Sequence, residues 1–104
     1  MTLSKSAAIA VAQRAVSISG HGTNWTVTGP YYDRRADGPS TSRSADSYAK
    51  ARRLRAKWAA AVAVAQMDLP ADAASDIETY FDRWDCDGTV RSAVNFAVKQ
   101  AAHA

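Results

Sequence analysis

Residues 47–67, SYAKARRLRAKWAAAVAVAQM, constrain the fold more than any other segment. Tyr48, Ala51, Leu54, Trp58, Val62 and Ala65 recur every three or four residues, which places them on one stripe of a single long α-helix. Asp46 or Ser47 supplies the N-cap. Leu69-Pro70 stops the helix, because the residue before a proline is pushed out of the helical region.

Periodicity organises the remaining chain around this helix. Residues 4–15 predict a first helix, capped by Thr2 or Ser4, with Ala8, Val11, Ala12 and Ala15 on one face. Val16 and Ile18 then alternate with Ser17 and Ser19, the period of a strand, until Gly20-His21-Gly22 breaks the run. Trp25-Thr26-Val27-Thr28 is a second strand, which Tyr31 and Tyr32 extend past Gly29-Pro30. Asp33 to Gly38 is a turn. Residues 39–45 return as a weakly patterned third strand, so the sheet has two or three strands. After the long helix, a third helix starts at Asp72 or Ser75 and runs through Trp84, with Ile77, Tyr80, Phe81 and Trp84 facing inward. A fourth spans about 89–101, with Val90, Ala93 or Val94, Ala97 and Val98 on its apolar face. The order α-β-β-(β)-α-α-α is an α+β arrangement in one compact domain over residues 1–104.

Composition bounds what such a domain does. Of 49 apolar residues among 104, 23 are alanine, leaving 26 larger side chains to build a core. That suffices for a small folded monomer of modest stability and excludes a long disordered chain or a disulfide-stapled mini-protein. The single cysteine, Cys86, has no partner for an internal disulfide, which fits a reducing cytoplasm. The apolar patch from Ala7 to Ala12 resembles a signal-peptide core, but Gln13 and Arg14 interrupt it after six residues. No stretch approaches the roughly 18 apolar residues of a membrane span. The expectation is a cytoplasmic protein with no membrane partner.

Charge is unevenly divided. Residues 1–67 carry ten basic and three acidic side chains; residues 68–104 carry three basic and seven acidic. The basic excess culminates in Lys50, Arg52, Arg53, Arg55 and Lys57, five cations within eight residues and no acid between them. On a helix, Lys50, Arg53 and Lys57 form one stripe, while Arg52 and Arg55 flank the apolar seam on the other side. Like charges at these spacings cost about 0.2–0.5 kcal/mol per pair, and a cation in the first turn opposes the helix dipole. Together they destabilise the helix by about 1–2 kcal/mol unless something negative compensates. Arg34, Arg35 and Arg43 extend the patch onto the hairpin, and Tyr32 beside the arginine pair has the composition of an interface anchor or a base-stacking platform. Three readings stay open: a solvated face partly paired with Asp72, Asp76, Glu78 and Asp82, a contact surface for an acidic protein or ribonucleoprotein, and direct nucleic-acid binding. The last predicts a log–log salt slope near −4 to −5, for about five neutralised phosphates.

Catalytic patterns fail one by one. Asp85-Cys86-Asp87-Gly88 resembles part of an EF-hand loop, but Arg83 and Val94 occupy the two positions where calcium most needs carboxylates. An Asp-Gly turn that caps the fourth helix explains the segment better. Cys86 with His21 or His103 is the one thiol–imidazole option, and His103 stands next to the chain end. One cysteine and two distant histidines do not make a metal site. No phosphate loop, dinucleotide-binding turn or nucleophile elbow is present. The paired carboxylates Asp72/Asp76 and Asp82/Asp85 read as a solvated face. The expectation is a protein that is not an enzyme and uses no cofactor.

The helix–hairpin–helix order with a basic second helix is loosely similar to double-stranded-RNA-binding domains. Tyr48-Ala49-Lys50-Ala51-Arg52 does not match the lysine–lysine–alanine–lysine signature those domains carry at that position. In size, intracellular character and absence of enzyme motifs, the chain resembles small accessory proteins of phages and other mobile elements, anti-CRISPR proteins among them. Those proteins share no motif. The resemblance implies a monomer or homodimer that inhibits by occlusion, docking on a larger host protein or ribonucleoprotein and blocking its nucleic-acid path. Lys50, Arg53, Lys57, Arg52, Arg55, Arg34, Arg35 and Tyr32 are the expected contact residues, and a small DNA- or RNA-binding protein is the alternative.

Overall fold

The computed structural model describes residues 3–30, 41–70, 72–83 and 90–102. Four helices and a three-stranded antiparallel sheet follow one another in the order α1 (Lys5–Ala15), β1 (Ser17–His21), β2 (Asn24–Gly29), β3 (Thr41–Ala45), α2 (Tyr48–Ala65), α3 (Ala73–Arg83) and α4 (Val90–Ala102). The α+β class and the element order agree with the sequence reading, and the weakly patterned third strand forms.

Local chemistry sets most boundaries. The Ser4 hydroxyl accepts from the Ala7 N–H at 3.3 Å and starts α1. Ser47 does the same for α2, accepting from the Lys50 N–H at 3.2 Å. Past α2, the Leu3 N–H donates to the Gln66 carbonyl at 3.0 Å and ties the start of α1 to the end of the long helix.

The sheet has the order β1-β2-β3. Ile18 pairs with Val27, Val27 with Arg43, and Trp25 with both Gly20 and Ala45. Gly20 and His21 belong to β1, whereas the sequence placed the break there. The turn is the two-residue loop Gly22-Thr23, closed by the His21–Asn24 pair, with Gly22 at φ 62°. Gly20 lies inside the ladder because it is glycine: its φ is 131°, and a Cβ there would stand 2.1 Å from the Asn24 carbonyl oxygen. Strand alternation puts Ile18, Trp25, Val27, Gly29 and Ala45 toward α2. The opposite face is a field of hydroxyls from Ser17, Ser19, Thr26, Thr28, Ser42 and Ser44, with Thr28 and Ser42 joined at 3.2 Å.

Helix α2 is the axis of the molecule. Every residue from Trp58 to Val64 is buried, so this half of the helix is covered on all sides rather than along one stripe. The sheet, α1, α3 and α4 all pack against it. Alanine makes this possible: Ala59, Ala60, Ala61 and Ala63 let several neighbours approach the helix backbone at once. Two members of the expected stripe lie outside the core, since Tyr48 and Ala65, the first and last residues of α2, are exposed. In α1 the buried residues are Ala8, Ile9 and Ala12; Ala15, expected on that face, is exposed. Ile77 and Phe81 of α3 and Val90, Ala93, Val94 and Ala97 of α4 complete the core, with Tyr80 and Val98 half-buried against it. Trp58, fully buried, donates its indole N–H to the Pro30 carbonyl at 2.6 Å and anchors the end of β2. Trp84, expected in the core, lies outside the described residues.

Candidate partner-binding face

The wheel of α2 divides its five cations among different neighbours. Arg55 turns toward α1, where its Nε donates to the Val16 carbonyl at 2.9 Å and its Nη2 to the Gln13 carbonyl at 2.8 Å. The Gln13 carbonyl is among the last four of α1, which have no partner within their own helix, so Arg55 caps α1 from outside. Arg53 turns toward α3, and its Nη2 donates to the Phe81 carbonyl at 2.7 Å, near that helix's C-terminus. Lys57 meets Glu78 of α3 at 2.7 Å. Lys50 bonds Asp46 one turn earlier, at 3.0 and 3.3 Å to the two carboxylate oxygens. That hydrogen bond, and then the ammonium's charge, hold the Asp46 carboxyl below its ordinary value of 3.8.

The density of positive charge along α2 is thus matched by carbonyls and carboxylates of the same fold. Arg53, Arg55 and Lys57 are half-buried and committed to internal contacts; Lys50 and Arg52 remain exposed. Arg34, Arg35 and Tyr32 lie outside the described residues, as do Tyr31, Cys86, His103 and the Asp85–Gly88 turn. Of the acids expected to neutralise the basic helix, Glu78 does so through Lys57. Asp76 is half-buried beside Asp72; burial, then the Asp72 charge, raises its carboxyl above the ordinary value.

What stands out on the surface is aromatic. Tyr48 is 51% exposed, the one large hydrophobic residue so exposed among those described. Its ring leans on Trp25 of β2 with centroids 4.9 Å apart and planes at 50°. The Arg52 guanidinium lies 5.8 Å from the tyrosine centroid, within cation–π range. Trp25 is held from behind by its indole N–H, which donates to the Gly22 carbonyl at 2.9 Å. Beside this cluster runs an open groove of about 540 Å³, lined by Thr23, Asn24, Ser44, Asp46, Lys50 and Leu54. The hairpin end and the first turns of α2 thus converge on a Trp–Tyr–Arg cluster with an open cleft at its side. The sequence reading sought its exposed tyrosine at Tyr32 and assigned Tyr48 to the core stripe. The sequence held one signal for Tyr48: it directly follows the N-cap Ser47, at the very start of the helix, with Lys50 and Arg52 around it.

Among the described residues no group of three or more His, Cys, Asp or Glu side chains is arranged to hold a metal ion, and no helix is long and apolar enough to cross a membrane. No protein-family model, curated protein or solved structure matches the chain.

Proposed function

We propose that this chain is a non-catalytic binding protein that docks on a larger host protein or ribonucleoprotein and inhibits by occlusion, in the manner of anti-CRISPR proteins. The contact face is the Trp25–Tyr48–Arg52 cluster with Lys50 at its edge. The observation that carries the reading is Tyr48, half-exposed, braced by Trp25 and flanked by Arg52. Trp, Tyr and Arg are the residue types that dominate interface energetics, and a pre-braced aromatic loses little entropy on docking. Burying a large aromatic side chain at the centre of a contact is worth about 2–4 kcal/mol. Arg53, Arg55 and Lys57 support the face from within instead of touching the partner, so reversing their charge tests the fold and not the contact.

The test compares tagged wild-type protein with a Tyr48→Ala/Arg52→Glu variant in pull-downs from nuclease-treated host lysate, washed at about 0.5 M salt. The expected result is a stoichiometric large partner, inhibited by the wild type and lost in the variant, whose circular dichroism is unchanged. A partner held equally by both proteins, or no partner at all, overturns the assignment.

A further inference from the structure

A second charged surface is built by α1 and α4. Helices α1 (KSAAIAVAQRA) and α4 (VRSAVNFAVKQAA) contain no acidic residue. On α4, Arg91, Asn95 and Lys99 follow one another at intervals of four, so they form one exposed row roughly 12 Å long. Lys5 of α1 reaches the middle of that row, its ammonium donating to the Asn95 side-chain oxygen at 2.8 Å. Three cations thus surround one amide. Arg91 and Lys99 have no ion-pair partner among the described residues. Tyr80 of α3 packs on Phe96 of α4 with ring centroids 5.7 Å apart, and Glu78 of α3 is paired with Lys57 of α2.

Folding accounts for only part of this arrangement: Lys99 sits in the last turn of α4, where the helix dipole favours a cation, and Lys5 ties α1 to α4 through Asn95. Lys5 is the first residue of α1 and Arg91 the second of α4, and at both places the helix dipole disfavours a cation. In α2 the comparable cations serve as caps and ion pairs within the fold; in α4 Arg91 has no such task among the described residues.

We propose that the Arg91–Asn95–Lys99 row, with Lys5 at its centre, binds the phosphate backbone of nucleic acid without reading its sequence. Charge complementarity selects an anionic partner, and the uncharged part of the surface selects among anions. Exposed Ser92, Asn95 and Gln100 are hydrogen-bonding types that contact phosphate and sugar. The row exposes no aromatic or large aliphatic side chain, which a membrane-surface helix or a protein hot spot would present. With Phe96 turned to Tyr80, no ring is offered for base stacking. This surface is separate from the Tyr48 cluster and does not rest on the docking proposal.

The experiment is fluorescence anisotropy of a labelled 20-bp duplex titrated with the full chain between about 50 and 200 mM NaCl. Three neutralised phosphates give a log–log slope of about −2.7, or roughly a 40-fold loss of affinity over that range. Arg91→Gln/Lys99→Gln is expected to flatten the slope to about −0.9, a loss of only about 3- to 4-fold, and to weaken binding at 50 mM at least tenfold. Tyr48→Ala/Arg52→Glu is expected to keep most of the affinity. Wild type that fails to bind the duplex overturns the proposal, as does an Arg91→Gln/Lys99→Gln variant that binds like wild type. Binding to phosphatidylserine vesicles without binding to the duplex also overturns it, in favour of a lipid surface.

Discussion

Replacing Arg55 by methionine keeps most of the aliphatic stem and removes the guanidinium that joins α2 to the end of α1. Two hydrogen bonds disappear, to the Val16 carbonyl at 2.9 Å and the Gln13 carbonyl at 2.8 Å. Bonds to a charged donor are worth about 1.5–3 kcal/mol when water cannot replace them. Val16 is buried, so its carbonyl is left poorly solvated, and that bond carries about 1.5–2 kcal/mol. Gln13 is exposed and water takes over its carbonyl, which leaves about 0.5 kcal/mol. Loss of the cation at the C-terminus of α1 adds about 0.3–1 kcal/mol. The sum is about 2–3.5 kcal/mol, enough to lower the melting temperature of a domain this size by roughly 10 °C or more. The control is Arg52→Met, whose guanidinium is exposed and touches only the Tyr48 ring, with an expected cost below about 0.5 kcal/mol. Urea denaturation followed by tryptophan fluorescence and circular dichroism measures both. If the two variants unfold at the same urea concentration with the same slope, Arg55 does not cap α1, and the internal use of the α2 cations is wrong.

Other perturbations probe different parts of the fold. Gly20→Ala drives a Cβ into the Asn24 carbonyl at a φ that side chains avoid, and is expected to cost about 2–3 kcal/mol or more; Gly22→Ala has open space and bears only the strain of φ 62°, about 1 kcal/mol. Thermal melts of the pair should separate them. Ala60→Leu overpacks the fully buried side of α2 and should destabilise by about 1–3 kcal/mol, whereas Ala65→Leu on the exposed last residue should change stability by under about 0.5 kcal/mol. The Asp46 carboxyl titrates below 3.8 in the folded chain, so its bond to Lys50 stabilises above that pH and is lost as pH falls through the lowered folded value. Asp46→Asn should therefore be less stable than wild type at pH 7, with the gap closing in acid. Urea midpoints across that range check the sign; a gap that persists or widens in acid contradicts it.

Local patterning determined much of this protein. Ser4 and Ser47 as caps and the alternation in Trp25-Thr26-Val27-Thr28 each act within a few residues, so the sequence alone placed four helices and a hairpin; α2 ends at Ala65, before the stop expected at Leu69-Pro70. Tertiary structure decided the rest, because it turned on which groups meet across the chain. A run of alanines reads equally well as an exposed or an enclosed helix, and only the packing of α1, α3, α4 and the sheet around residues 58–64 shows it enclosed. The five cations of α2 read as one patch because charge is countable in sequence. Their partners are not: the carbonyls of Gln13, Val16 and Phe81 are main-chain groups that no side-chain pattern reveals. Conversely, Lys5 and Asn95 are 90 positions apart and meet only when α1 lies beside α4. Charge composition is a property of the sequence; an electrostatic surface is what remains after the fold has used some of that charge for itself.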